Sequence, residues 1–543
     1  MSYRDILQKI RLAFPQPVSD PIHDSYFVHS IMRALDQVDG LKTQLPILGS
    51  VVSGDFEQAR KATMPDRMSS VEHVTSDLVG YLRGMTIFGH PHTQQNVIPP
   101  PTISSLIGVL LASLHNPNLA WDEYSRLVAL AEAEAVGMTA QLVEYDPEQS
   151  GGVFTFGGTG TTLYGVKIGL EKACPQAMGK GTPEGTVVFV SDAGHYCAHN
   201  VVGWLGLGTE NLVTIPTTDD NEMDLDRFEQ EARAALASGK KIAAIIATLG
   251  TTDAFGLDDL QGIVSLRDAW VEEFKLDYRP HVHADAVIGW AWSVFNDYDF
   301  GSNPLGFRPR TLRALAGACR RIRHLSLADS VGVDFHKTGF APYVSSLVLF
   351  REREDLGLVA RSPEQMPYLY HFGDHRPGTF TLETTRAGTG PLAALGNYRL
   401  FGKQGLQVIL GYIVEMAQLL REHLEGHEGI TVLNRENFGT VTLFRAYPAG
   451  VDTFAIKRQE FNDPACRDVL ISNNEYNRAI FRYVHSEAMA GRGAVISSTD
   501  CYRRTTYQEP IFALKSYILS PFVDEGHIEV VVAKVLEARE KIS

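Results

Sequence analysis

The sequence is poor in thiols: five cysteines in 543 residues, at 174, 197, 319, 466 and 501, with no C-x-x-C pair. An odd, scattered set makes neither a disulfide framework nor a thiolate zinc site, and the five read as small buried hydrophobes. Long apolar runs are also lacking. The longest, near Ile103 to Leu114, is interrupted by Ser104, Ser105 and Ser113 and falls short of the roughly 20 residues a membrane span needs. It reads as a core helix. Positive charge is in deficit, with 49 Lys plus Arg against 64 Asp plus Glu and a formal charge of -15, which argues against a polyanion binder or a membrane-surface protein. The start, Met1-Ser2-Tyr3-Arg4-Asp5, has no apolar stretch behind its charge, so no secretory leader is expected and the expected location is cytoplasmic. Internal repeats and low-complexity segments are not seen.

What remains has ordinary globular usage, 44% hydrophobic and 21% charged, and enough length for several units of roughly 150 residues. Up to about residue 105, short helical patterns are punctuated by Pro15, Pro17, Pro21 and the Pro99-Pro100-Pro101 run, as in an arm that packs on a partner. A helical stretch then reaches Val136 with Asn116-Pro117-Asn118 as its break. From about 150 to 350, β-branched runs at Thr186 to Val190, Ile242 to Thr248, His281 to Ala284 and Val344 to Phe350 alternate with helical patterns such as Thr159 to Ala173 and Leu257 to Phe274. That alternation predicts a mostly parallel sheet covered by helices. After about 395, a long helix through Leu424 precedes strands at Ile430 to Leu433 and Thr440 to Arg445, a helix around Asn477 to Met489 and a strand at Ala494 to Ser497, a smaller α+β unit. Trp204, Trp290 and Trp292 are expected in the core.

Five motifs fall at the carboxyl ends of the predicted strands, where open α/β sheets bind ligands. Phe156-Gly157-Gly158-Thr159-Gly160-Thr161-Thr162 precedes a helix, and successive N–H groups there can cradle a phosphate. Ser191-Asp192-Ala193-Gly194-His195-Tyr196 offers a ring able to lie over an aromatic group. Leu249-Gly250-Thr251-Thr252 supplies hydroxyls. His281-Val282-His283-Ala284-Asp285 admits two readings, a pair of metal-ligating histidines or a carboxylate that meets a protonated pyridine nitrogen. Asp334-Phe335-His336-Lys337 holds either a solvated lysine or one that forms a Schiff base when burial or a neighbouring cation lowers its pKa; His336 beside it has charge to offer a phosphate.

Taken in order, these motifs resemble the pyridoxal-phosphate-dependent group II amino-acid decarboxylases, over roughly residues 85 to 410. The resemblance implies an aspartate-aminotransferase-type fold (fold type I): an arm over 1–105, a large domain with a mostly parallel seven-stranded sheet over 106–390, and a small α+β domain over 391–543. It implies a homodimer with active sites near the interface, an amino-acid substrate, and no nucleic-acid or membrane partner. Lys337 would bind the aldehyde of pyridoxal 5'-phosphate as the internal aldimine, Asp285 would face the pyridine nitrogen and His195 would stack on the ring. Gly158, Thr159 and Gly160 would cradle the phosphate with His336 nearby, and Thr252 would approach the ring. Arg386, in Thr384-Thr385-Arg386-Ala387-Gly388, would hold the substrate α-carboxylate. His90, in Gly89-His90-Pro91, and Asn96 would line the substrate's way in, and Tyr370 would return a proton to the α-carbon. Two departures concern the substrate: Thr338 follows the lysine where many members have Trp, and Val287 stands where a small residue is usual. The His-Lys-x-Gly-x-Ala-Pro pattern also resembles sphingosine-phosphate lyase, so carbon-carbon lysis is the alternative to decarboxylation.

Overall fold

The computed structural model describes residues 2–366 and 372–542. The arm begins with two helices, Tyr3–Arg11 and Pro21–Asp39, whose starts are fixed by Ser2 and Asp5 in a capping box and by Asp20 ahead of Pro21. Neither helix has a buried residue. The chain then passes through a two-residue strand, β1 (Thr93–Gln94), into the helix Ile103–His115.

This last helix departs from the expected core helix. Its buried positions are the small residues Ser105, Gly108 and Ala112, which pack on the long helix Thr389–Glu425. A Cβ on Gly108 would lie 2.7 Å from the Leu392 carbonyl oxygen, so only glycine admits this approach. The large apolar residues Ile103, Leu106, Ile107, Leu110 and Leu111 point outward at 44–78% exposure. A separate helix, Leu127–Leu142, follows the Asn116–Asn118 break.

The large sheet comprises β2 (Gly151–Thr155), β3 (Thr186–Ser191), β4 (Leu212–Ile215), β5 (Lys241–Thr248), β6 (His281–Asp285), β7 (Ser330–Asp334) and β8 (Ser346–Phe350). They lie in the order β2-β8-β7-β6-β5-β3-β4, and β8 alone runs against the others. Seven strands, mostly parallel, match the expectation. The central strands are buried on both faces, which is why Ile242 to Ala247 reads as an unbroken apolar run. Helix Gly158–Ala173 lies close against this sheet: Cβ atoms at Gly165 and Gly169 would stand 2.5 Å from His283 Nδ1 and 2.4 Å from the Ala243 carbonyl oxygen.

The C-terminal part adds β9 (Ile430–Val432), β10 (Val441–Ala446), β11 (Val495–Thr499) and β12 (Ala513–Tyr517). Their sheet has the order β1-β11-β12-β10-β9, so Thr93–Gln94 from the arm forms its edge, parallel to β11. Helices Arg467–Met489 and Thr389–Glu425 pack on it, and Glu525–Ile542 packs on those two helices. Trp290 and Trp292 are fully buried as expected, whereas Trp204, at the end of its helix, is 62% exposed. Cys174, Cys197 and Cys319 are buried, but Cys466 is half-buried and Cys501 exposed. No helix among the described residues is long and apolar enough to cross a membrane.

Candidate active site

Strands β2, β3, β5, β6 and β7 share one direction, so their carboxyl ends lie along one edge of the sheet. Each of the five motifs leaves from that edge. Asp285, the last residue of β6, is in register with Thr248 of β5 and Gly332 of β7. Asp334 ends β7, and Lys337 follows one short turn later.

The Asp285 side chain is the most informative group. It is 4% exposed, and its Oδ1 has no hydrogen-bond partner. Burial pushes its pKa up, against the opposing pull of Lys337 and His195. An unpaired buried polar atom costs about 1–3 kcal/mol, so it is retained where it serves something. A protonated pyridine nitrogen is the donor and the positive charge that this oxygen lacks. The Oγ1 atoms of Thr155 and Thr248, at the same edge, are also buried and unpartnered.

Lys337 Nζ stands 2.8 Å from Asp334 Oδ2. Burial alone would lower the amine's pKa, but Asp334 and Asp285 outweigh it and the net shift is upward. The sequence argument looked for a lowered value. The difference lies in Asp334, whose other oxygen accepts from Ser346 Oγ at 2.5 Å and which is thereby fixed beneath the amine. Burial lowers the pKa of His336 while Asp334, 3.5 Å from its Nε2, opposes the shift; its Nδ1 faces the Ser345 backbone at 3.1 Å, and its ring lies against Tyr343, centroids 4.1 Å apart.

The glycine-rich turn expected to hold a phosphate leads directly into a helix. Gly157, at φ +121°, precedes helix Gly158–Ala173, and no side chain caps that helix. Its first-turn amides at Gly158 and Thr159 therefore point out of the helix as donors. A Cβ on Gly158 would fall 2.9 Å from Asp334 Oδ2 and one on Gly160 would fall 2.5 Å from Thr155 Oγ1, which ties the cradle to the lysine turn and to β2. His195 lies beyond β3, half-buried, its Nδ1 accepting from Cys197 N at 3.2 Å and its ring 4.2 Å from Tyr196. Burial lowers its pKa, and both Asp285 and Lys337 act on it. Thr252 is exposed in the turn after β5.

Arg386 requires a correction. Its guanidinium is buried and bonded to Glu132, to the Leu119 carbonyl at 2.8 Å and to the Phe154 carbonyl at 3.1 Å, rather than presented to the cleft for a substrate carboxylate. Glu132 also accepts from Phe154 N at 2.9 Å. A carboxylate this deeply buried demands a cation, and Arg386 supplies it. Tyr370 lies outside the described residues. His90 packs on His92, and Asn96 takes a left-handed turn at φ 56°. Val97, next in the chain, accepts from the Tyr343 hydroxyl at 3.3 Å, so this segment does reach the lysine turn.

His281 and His283 do not converge on an open site. Both are fully buried, both bond Ser330 Oγ at 2.8 Å, and burial takes their pKa down to about 3. Among the described residues no group of three or more His, Cys, Asp or Glu is arranged to hold a metal ion. Sequence reasoning passed over two residues. Asp334 was quotable from the motif, three residues before the lysine. Tyr343, whose only signal is an aromatic residue after Ala341-Pro342, stacks on His336 within electrostatic reach of Lys337.

Residues 54–296 match the pyridoxal-dependent decarboxylase conserved domain, a stretch that includes the cradle, His195 and Asp285 and stops short of Lys337. The chain is 25% identical over 471 residues to an L-2,4-diaminobutyrate decarboxylase of Acinetobacter baumannii, covering 83% of this chain and 81% of that one. It is 22% identical over 435 residues to an aspartate 1-decarboxylase of Aliivibrio fischeri, covering 74% and 71%. Among solved structures, the glutamate decarboxylase domain of a Vibrio parahaemolyticus diaminobutyrate-pyruvate transaminase and L-2,4-diaminobutyrate decarboxylase superposes with a TM-score of 0.74 at 17% identity. It covers 99% of this chain and 100% of its own, a likeness of fold. The chain therefore carries a stretch similar to the pyridoxal-dependent decarboxylase conserved domain and aligns with decarboxylases over most of its length.

Proposed function

We propose that the protein removes the α-carboxylate of an L-amino acid as carbon dioxide, with pyridoxal 5'-phosphate bound at the edge formed by β2, β3, β5, β6 and β7. The observation that carries the reading is the buried, unpaired Asp285 oxygen set in the same electrostatic neighbourhood as Lys337 and His195. When bound, the cofactor supplies a sink for the electron pair that a departing carboxylate leaves behind.

The chain's own residues do the rest. Lys337 would hold the cofactor through its aldehyde. Asp334, 2.8 Å from Nζ, takes and returns the proton there. Asp285 holds a proton at the pyridine nitrogen, since a buried carboxylate without a cation is unstable. The free amides of Gly158 and Thr159, with Gly160, hold the phosphate, and His195 covers the ring face and excludes water. Thr252 would approach the ring, with His336 behind the lysine. His90 and Asn96 line the way in. Tyr370 remains the proposed proton donor to the α-carbon.

The same proposal includes the three-part division at residues 105 and 390, a cytoplasmic location supported by the absence of disulfides among the five cysteines, and a homodimer supported by the outward apolar face of helix Ile103–His115. The test is direct. The purified protein is supplied with pyridoxal phosphate, reduced with borohydride and mapped by mass spectrometry, then screened for carbon dioxide release from diamino, acidic and aromatic amino acids. A reduced adduct on Lys337 and carbon dioxide from one substrate class support the reading. An unlabelled protein overturns it, and an aldehyde product without carbon dioxide transfers it to carbon-carbon lysis.

A further inference from the structure

Three histidines meet where the arm joins the small domain. His90 and His92 lie just ahead of β1, and His527 lies in the first turn of helix Glu525–Ile542. The His90 and His92 rings are 5.5 Å apart, and His92 meets His527 edge-on at 4.8 Å. None of the three is fully exposed.

Their hydrogen bonds define how many protons the cluster can hold. His90 Nδ1 accepts from the His92 backbone N–H at 3.1 Å, which only a neutral ring can do. His92 Nδ1 is buried and has no partner. His527 Nδ1 is 2.5 Å from Asp524 Oδ1, and the His527 amide and ring hold that carboxyl below its usual pKa. Burial lowers the pKa of His90 and of His92, and the neighbouring rings lower both further; Asp524 is the one carboxylate that opposes the shift at His92. Glu525, next along, is taken up by Arg308 at 3.0 Å. Asp524 is therefore the one carboxylate at the cluster, and His527 engages it. A proton added at His90 or His92 would meet no further anion.

The strip that carries His90 and His92 leads to the lysine turn. The Gly89 carbonyl accepts from Ser520 Oγ at 2.8 Å and the His92 carbonyl from Val495 N at 2.7 Å, both on the small domain. The Val97 carbonyl then receives the Tyr343 hydroxyl at 3.3 Å, and Thr102 N donates to the Phe340 carbonyl at 3.1 Å. We propose that His90, His92 and His527 form an acid-sensitive latch: neutral rings at His90 and His92 hold segment 89–97 against the small domain and, through Tyr343, over Lys337, and their protonation releases it. The three act as positioning residues.

The sign follows from linkage. A histidine whose pKa is depressed in the latched state favours that state fully above its ordinary value, near 6.5. The preference is lost as pH falls below that value toward the depressed one. Hydrogen exchange of amides 89–97, referred to their intrinsic rates, reads this without turnover. Between pH 8 and pH 5 the wild-type segment should lose protection by about tenfold for each pH unit below the ordinary histidine value, for one coupled proton, while the core of the large sheet stays protected. His92→Gln should be protected at pH 8 and lose most of that pH dependence. His527→Gln, at the rim of the cluster, removes the ring that meets His92 and should make the loss shallower; it decides the matter if His92→Gln does not fold. Protection that stays flat in the wild type, or that falls as steeply in the folded variants, overturns the latch. A folded variant already unprotected at pH 8 reduces the rings to packing and overturns it equally.

Discussion

Under the proposed function, Asp334 would govern when Lys337 is a nucleophile. The amine must lose its proton before it attacks an aldehyde, and the carboxylate at 2.8 Å, with Asp285 behind it, keeps that proton on. Replacing Asp334 with Asn removes the nearer charge, so the midpoint of cofactor loading, followed by the visible band against pH, should move to lower pH. An unmoved midpoint would leave Asp285 alone in control. Lys337→Ala should abolish the borohydride adduct and lower carbon dioxide release by at least about a hundredfold. Asp285→Asn leaves shape and volume nearly intact but withdraws the charge opposite the pyridine nitrogen. The cofactor should still bind, and turnover should fall about a hundredfold or more, comparable to removal of a group that stabilises a developing charge. Measuring kcat under cofactor saturation separates that loss from weak binding.

At the scale of elements, legibility depended on what each strand has to accommodate. Strands β3, β5 and β8 are visible as β-branched or apolar runs because both of their faces are packed, whereas β6 is marked by its H-x-H-x-D motif. Strand β7 is as central but reads Ser-Val-Gly-Val-Asp, since a Cβ on Gly332 would stand 2.4 Å from Thr161 Oγ1 of the crossing helix. A strand thinned to admit a helix loses the composition that announces it. The five motifs were legible for a related reason: each contributes backbone or a small polar side chain to one edge, and their order along the chain preserves that edge. Arg386 was not, because its partner Glu132 lies 254 residues earlier in the chain, on helix Leu127–Leu142, beyond the range of any local pattern. Glu132→Gln would strand the guanidinium in a buried site, so a loss of about 3–5 kcal/mol in denaturant unfolding is expected. Restored stability in a Glu132→Met, Arg386→Met double variant would show that the pair serves structure.

At the scale of the whole molecule, the helix Ile103–His115 has its small residues inward and its large apolar residues outward, the reverse of a helix that completes a monomer's core. The arm repeats the pattern. Tyr3–Arg11 and Pro21–Asp39 bury nothing, while Phe14, Ile22, Met32 and Leu35 stand 56–79% exposed. An apolar surface spread over three helices, on a chain with a formal charge of -15, calls for a cover of matching character. A second copy, as in the proposed homodimer, would meet that need by two-fold symmetry, presenting the same helix face to face. Light scattering should therefore give twice the chain mass of 59.9 kDa at micromolar concentration. Leu106→Glu with Leu110→Glu, on the outer face and clear of the contacts with Thr389–Glu425, should leave the helical content unchanged. Each buried leucine contributes about 1.5–3 kcal/mol, so losing two should weaken association by at least about a hundredfold. Leu→Glu changes at exposed sites elsewhere would leave the mass unaltered. A wild-type protein that scatters as a monomer would require another cover for this face, and the arm would then have to fold back over Leu106 and Leu110 within one chain.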